Sequence, residues 1–148
     1  MNYEFKDVIH ALVAKAKQDE FAKKPIKTLG EVILLLKSQP PFNIIELDFT
    51  TDNPSDLISY RGYYTDLALD YDDDVIGTNV RQLLKMFEEA DGRTYEGYKG
   101  GDFTMHRKTL VWVAPYGSCG RMLVDVQSKK NITTIITQEN DKEDKNKQ

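Results

Sequence analysis

The chain has 148 residues, 40% hydrophobic and 30% charged, the composition of one ordinary globular domain large enough to bury a core. Its formal net charge of −4 excludes a generally basic nucleic-acid binder, although a local basic pocket for a small anion fits within an acidic protein. The single cysteine, Cys119, excludes an internal disulfide and a cysteine zinc site, and no apolar run reaches membrane-spanning length.

Phe5, Val8, Ile9, Leu12, Val13 and Ala16 recur at spacings of three and four and predict an amphipathic helix. Met1–Lys6 is polar and no secretory h-region follows it, which fits a reducing cytosol. Thr28-Leu29-Gly30-Glu31 is a capping box. It opens a second helix with Leu29, Val32, Ile33 and Leu36 on one face, and Leu34 and Leu35 predict burial on more than one side. Pro40-Pro41 ends it. The period then changes to two, predicting a strand at Ile45–Thr50, a loop at Asp52–Asp56 and a strand at Thr65–Asp70. Asp72, Asp73 and Asp74 form a charged turn. Thr78 is the expected N-cap of a helix carrying Val80, Leu83, Leu84 and Phe87, with Gly92 as its left-handed terminator.

Leu110–Ala114 is apolar throughout and predicts a central strand, returned by Met122–Gln127 after a turn at Pro115–Gly120. Ile132–Thr137 is expected as an edge strand. Every residue from Gln138 to Gln148 is polar, so a disordered C-terminal tail is expected. These elements add up to an α+β domain over 1–137, two or three helices on one face of a mostly antiparallel sheet, with a tail at 138–148. Four of these strands, all but Ile132–Thr137, are expected to share that sheet with antiparallel pairing.

Chemistry concentrates in Gly97-Tyr98-Lys99-Gly100-Gly101-Asp102-Phe103. Gly97, Gly100 and Gly101 allow close backbone approach, and Tyr98 and Phe103 offer stacking faces. From Arg93 to Lys108, four basic residues (Arg93, Lys99, Arg107, Lys108) face two acidic ones (Glu96, Asp102). Exposed N–H groups, flat rings and mild positive charge suit a nucleotide-like ligand, whereas a plain glycine-turned hairpin with buried rings needs no ligand. Seven of the eight tyrosines, Tyr63 and Tyr95 among them, lie between positions 60 and 116, a composition shared by binding surfaces and packed sheet edges.

Other constellations are weaker. Tyr60-Arg61-Gly62 is similar to the strand-borne arginine motif of some ADP-ribosyltransferase sites, but no Ser-Thr-Ser strand or Glu-x-Glu turn accompanies it. Arg61 reads instead as a phosphate fork or as an ion-pair partner of a nearby aspartate. The aspartates at 70 and 72–74 lack calcium-loop spacing and read as a solvated charge run, so no metal is expected. His106 is the one candidate base near the glycine stretch, which leaves a metal-free phosphodiesterase as the enzymatic alternative. Cys119 has no histidine placed to activate it and reads as a small buried residue.

Two long motifs carry a family resemblance. One is Ser59-Tyr60-Arg61-Gly62-Tyr63-Tyr64 followed by Asp66-Leu67-Ala68-Leu69. The other runs from Thr94 to Met105 and continues in Val111-Trp112-Val113-Ala114 and Tyr116-Gly117. Over roughly positions 28 to 127 they resemble a bacteriophage family of anti-Thoeris (Thoeris anti-defence) sponge proteins. The resemblance implies a cytoplasmic immune-evasion protein in the host cell that is not an enzyme and needs no cofactor. It implies sequestration, without cleavage, of cyclic ADP-ribose isomers made by TIR-domain enzymes, and of cyclic oligonucleotides in some members. It also implies a homo-oligomer, dimer or hexamer, with pockets near the subunit interface, and no long nucleic acid or membrane as partner. By position, Tyr95 would stand at the aromatic site and Arg121 would face a phosphate, while Met105 stands near where relatives are expected to carry an asparagine. The resulting ligand-binding set is Arg61, Tyr63, Tyr95, Tyr98, Lys99, Gly100, Gly101, Phe103, Met105 and Arg121, with no catalytic residue. A phage inhibitor that binds a host protein, and a nucleotide-processing enzyme of phosphodiesterase or ADP-ribosyl type, are the alternatives.

Overall fold

Local signals set both helices of the structure, a computed structural model that describes residues 25–97, 100–117 and 120–140. The helix expected near the N-terminus and the tail from residue 141 onward lie outside them. Helix α1 spans Leu29–Lys37, and its capping box is complete. Glu31 N–H donates to Thr28 Oγ1 at 3.2 Å, and Thr28 N–H donates to Glu31 Oε1 at 3.0 Å. Leu29, Val32, Ile33 and Leu36 are buried, but Leu34 is 64% exposed, so α1 is covered on one side only. Helix α2 spans Val80–Ala90, and its cap is Asn79, which exchanges hydrogen bonds with Gln82. Thr78, the expected cap, is buried and donates from its hydroxyl to Pro54 O at 3.1 Å. Either residue could cap; a partner 24 positions away takes the threonine. Gly92 has φ +85° just past the helix, as its left-handed terminator role requires.

The described residues form eight strands, in chain order β1 (Ile44–Leu47), β2 (Asn53–Tyr60), β3 (Tyr63–Asp72), β4 (Thr94–Glu96), β5 (Asp102–Thr104), β6 (Val111–Val113), β7 (Arg121–Lys129) and β8 (Ile132–Gln138). Six form one sheet in the order β1-β8-β7-β6-β3-β2, and β4 with β5 makes a separate hairpin. All four predicted strand segments lie in the large sheet, giving the expected α+β class. The sheet is mixed, however, because β1 pairs with β8 and β3 with β6 in parallel, while the other three pairings are antiparallel. A parallel pair needs a long crossover, and the stretch holding α2 and the hairpin supplies one between β3 and β6.

The segment expected as a loop, Asp52–Asp56, largely belongs to β2. Asn, Pro, Ser and Asp signal a loop, but an edge strand with one unpaired side accepts them. β8 is not an edge; it lies between β1 and β7. The two true edges, β1 and β2, are strapped together by the chain between β3 and α2. Ile45 N–H donates to Thr78 O at 2.9 Å, and Asn53 Nδ2 donates to Val75 O at 2.8 Å.

Both helices lie on one face of the sheet. There Leu67, Leu69, Val111, Val113, Leu123 and Ile135 meet Leu29, Val32, Leu83 and Phe87 in one core cluster. The opposite face is apolar too, with Ile26, Tyr60, Ala68, Trp112, Ala114 and Met122 forming a second cluster. At about 1.5–3 kcal/mol for each large apolar side chain fully buried, these two layers dominate stability.

Candidate functional site

The glycine stretch closes the β4–β5 hairpin, which is the ligand-free reading of its sequence. Gly97 N–H donates to Gly101 O at 2.8 Å and Gly100 N–H to Gly97 O at 3.0 Å, so these two donors serve the turn and not an anion. Gly100 and Gly101 sit at φ +89° and +86°, a conformation that other residues resist. Gly97 is needed for space. A Cβ there would lie 3.0 Å from Phe103 Cε2, 3.2 Å from Gly100 O and 3.3 Å from Tyr64 Cγ. With that space open, the Phe103 and Tyr64 rings meet over Gly97 with centroids 5.8 Å apart and planes tilted by 33°. Tyr98 and Lys99 lie outside the described residues.

Tyr64 is the second residue of β3, and the junction of β3 with β2 is irregular. Ser59 pairs with Leu67 and Tyr60 with Tyr63, so residues 64–66 form a bulge outside the β2–β3 register. Strict alternation from Leu67 would send Tyr63 to the helix face and Tyr64 to the opposite one. The bulge reverses them. Tyr63 stacks with Tyr60 at 6.0 Å and Trp112 at 6.1 Å on the face opposite α1 and α2, while Tyr64 reaches the hairpin. Ser59 Oγ donates to Tyr64 O at 2.8 Å, and Arg61 N–H donates to Gly117 O at 2.6 Å. Arg61 and half-exposed Tyr63 are thus sequence neighbours of Tyr64, the residue whose ring meets Phe103. The sequence motifs contain all these residues, but alternation cannot reveal which way each tyrosine points.

Three predicted residues occupy other places. Met105 is fully buried in the core cluster on the face of α1 and α2. Tyr95, paired across the hairpin with Phe103, is only 9% exposed. Arg93 lies over its ring at 4.8 Å. Burial pushes the Tyr95 phenol up, Asp56 adds to this, and Arg93 opposes it. Arg121 stands at the other end of β3, near Tyr71, with its guanidinium 5.0 Å over Phe49. It donates to Thr137 Oγ1 at 2.6 Å and to Glu139 Oε1 at 3.3 Å. From Tyr64 to Tyr71 the strand spans about 20 Å, so within one protomer Arg121 does not join the tip.

A cleft of about 460 Å³ opens at that far end, lined by β1 and the arch from Asp48 to Asn53. Its Asp48 carboxylate already accepts from Thr137 N–H at 2.9 Å and Thr137 Oγ1 at 2.6 Å. The Asp72, Asp73 and Asp74 carboxylates come within 4.8 Å of one another but are exposed, and Asp72 accepts the Asp74 N–H at 2.9 Å. His106 Nδ1 accepts the Lys108 N–H at 3.1 Å. His10 and Cys119 lie outside the described residues.

Tyr71 and Tyr95 predict alkaline sensitivity. Burial, then Asp52 and Asp70, push the Tyr71 phenol up against the pull of Arg121. Folded, both tyrosines keep their protons to higher pH than unfolded, so above about pH 10 the unfolded chain binds fewer protons. Their contribution is complete below that pH and is lost as pH rises through the folded values. Urea midpoints should hold steady up to about pH 9 and fall beyond about pH 10, with a shallower fall in Tyr71→Phe.

Among the described residues no helix is long and apolar enough to cross a membrane. Comparison with protein-family models, curated proteins and solved structures finds no match to this chain.

Proposed function

We propose that this chain binds a cyclic adenine nucleotide of the cyclic ADP-ribose kind and holds it intact, as a phage sponge that removes a TIR-derived immune signal from the host cytoplasm. One observation carries the reading: the Tyr64–Phe103 ring pair closes over Gly97 at a glycine hairpin tip, with Arg61 and Tyr63 on the adjoining turn. The rings supply a base-stacking surface, worth about 1–3 kcal/mol per base. Arg61 supplies a guanidinium whose geometry matches phosphate. The resemblance of the two motifs to the sponge family supports the same ligand class. The Nδ1 of His106, the candidate base three residues beyond Phe103, is occupied by the Lys108 N–H, which favours binding over cleavage. In this proposal the chain is a homo-oligomer, and Arg121 meets the nucleotide only when a second copy supplies it.

Calorimetry against a panel of cyclic nucleotides tests the reading. A dissociation constant near nanomolar, about −12 kcal/mol, is expected for one adenine-containing cyclic ligand. Phe103→Ala should weaken it roughly tenfold. Denaturing the complex and chromatographing the released ligand should recover it unchanged. A cleaved product would replace the sponge with an enzyme, and no binding to any nucleotide would favour an inhibitor of a host protein.

A further inference from the structure

The β2–β3 turn departs from regular pairing at the point where the two faces of the sheet receive adjacent tyrosines. The register jumps from the Ser59/Leu67 pair to the Tyr60/Tyr63 pair, so that residues 64–66 fall outside the β2–β3 register. Bulges of this kind re-aim side chains and persist only where other contacts hold them. Two contacts outside the strand ladder do so here. On one side, the Ser59 hydroxyl donates to the Tyr64 carbonyl at 2.8 Å, satisfying a group that the bulge removes from the ladder. On the other, Gly117, at φ +68°, accepts the Arg61 N–H at 2.6 Å and packs so closely that a Cβ would stand 2.8 Å from Ser59 O.

We infer that Ser59 is a positioning residue of the hairpin-tip site. Its hydroxyl holds the bulge in the register that directs Tyr64 to Phe103 and leaves Tyr63 to Trp112. Without that bond the Tyr64 carbonyl loses its side-chain partner, and the turn is free to relax toward regular alternation. Regular alternation would withdraw the Tyr64 ring from Phe103 and open the stacking surface. Ser59 need not touch a ligand, because it acts through Tyr64. Threonine offers the same hydroxyl and suits a strand, so Ser59→Thr should preserve the arrangement. This inference rests on the nucleotide-binding reading for its consequence, but its structural half can be tested without a ligand.

The experiment is a double-mutant cycle on Ser59 and Tyr64, read by nucleotide calorimetry and by NMR contacts between the Tyr64 and Phe103 rings. Tyr64→Ala should weaken binding roughly tenfold, and Ser59→Ala about fivefold. Ser59→Ala should also lose the ring contact, while Ser59→Thr restores both. In a Tyr64→Ala background, Ser59→Ala should have no further effect on affinity, the signature of one residue acting through another. Fully additive losses, or a ring contact unchanged in Ser59→Ala, would overturn the inference. If the unaltered protein binds no cyclic nucleotide, the functional reading falls. The ring contact then decides the positioning role by itself: lost in Ser59→Ala it stands, retained it is overturned.

Discussion

Trp112→Ala should cost about 3–5 kcal/mol of folding stability. Trp112 is 1% exposed and sits on β6, between β3 and β7. Its ring stacks on Tyr60 with centroids 4.8 Å apart and planes within 9°, and its Nε1 donates to Asp66 Oδ2 at 2.9 Å. Truncation removes the largest fully buried side chain, leaves a cavity against Tyr60, and strips a carboxylate of its indole donor. Trp112→Phe keeps much of the ring and loses only the N–H, so about 1–2 kcal/mol is expected from it. Because the chain has one tryptophan, urea unfolding of both variants is best followed by circular dichroism. A loss below about 1 kcal/mol in Trp112→Ala would mean that the face opposite α1 and α2 does not hold the domain together in the way its stacking implies.

Gly120→Ala should be nearly as damaging, through backbone and not through a lost contact. A Cβ at Gly120 would collide with Val113 O and Ala114 Cβ, and would stand 2.8 Å from Ala114 Cα. Two of these atoms are main chain at the end of β6, so no side-chain rotation relieves the clash. Val113 pairs with Arg121, so the collision would push the start of β7 away from β6. About 3 kcal/mol is expected, at the upper end of overpacking costs. Arg121 would shift with the strand, loosening its contacts with Thr137 and Phe49. A melting temperature within about 2 °C of the unaltered protein would contradict this account.

The same comparison of local and distant contacts explains what could be read in advance. The α1 cap at Thr28 and Glu31 and the Gly97–Gly101 hydrogen bond follow from partners within about four residues, and Gly92 from the backbone freedom of glycine, all visible in the chain's order. The α+β class and the strands at Ile45, Leu67, Val111 and Met122 follow from hydrophobic period, which needs only a face to bury. The candidate site was legible as composition: glycines, rings and Arg61 occur in two motifs, and the fold brings parts of both to one end.

What the sequence could not determine depends on residues far apart in it. Asn79 caps α2 because Thr78 is drawn to Pro54. The polar run at Asn53–Asp56 becomes a strand because the neighbouring β3 offers it a paired edge. Met105 is core and Arg121 is remote from the tip because the order of strands in the sheet, not their order in the chain, sets distance. Tyr63 and Tyr64 take faces opposite to those that alternation assigns, because a bulge at residues 64–66 shifts the register and Ser59 secures the shift. Local hydrogen bonding and hydrophobic period thus determined which elements form. Long-range pairing decided where each side chain points, since a register shift reverses a strand's faces without changing its sequence.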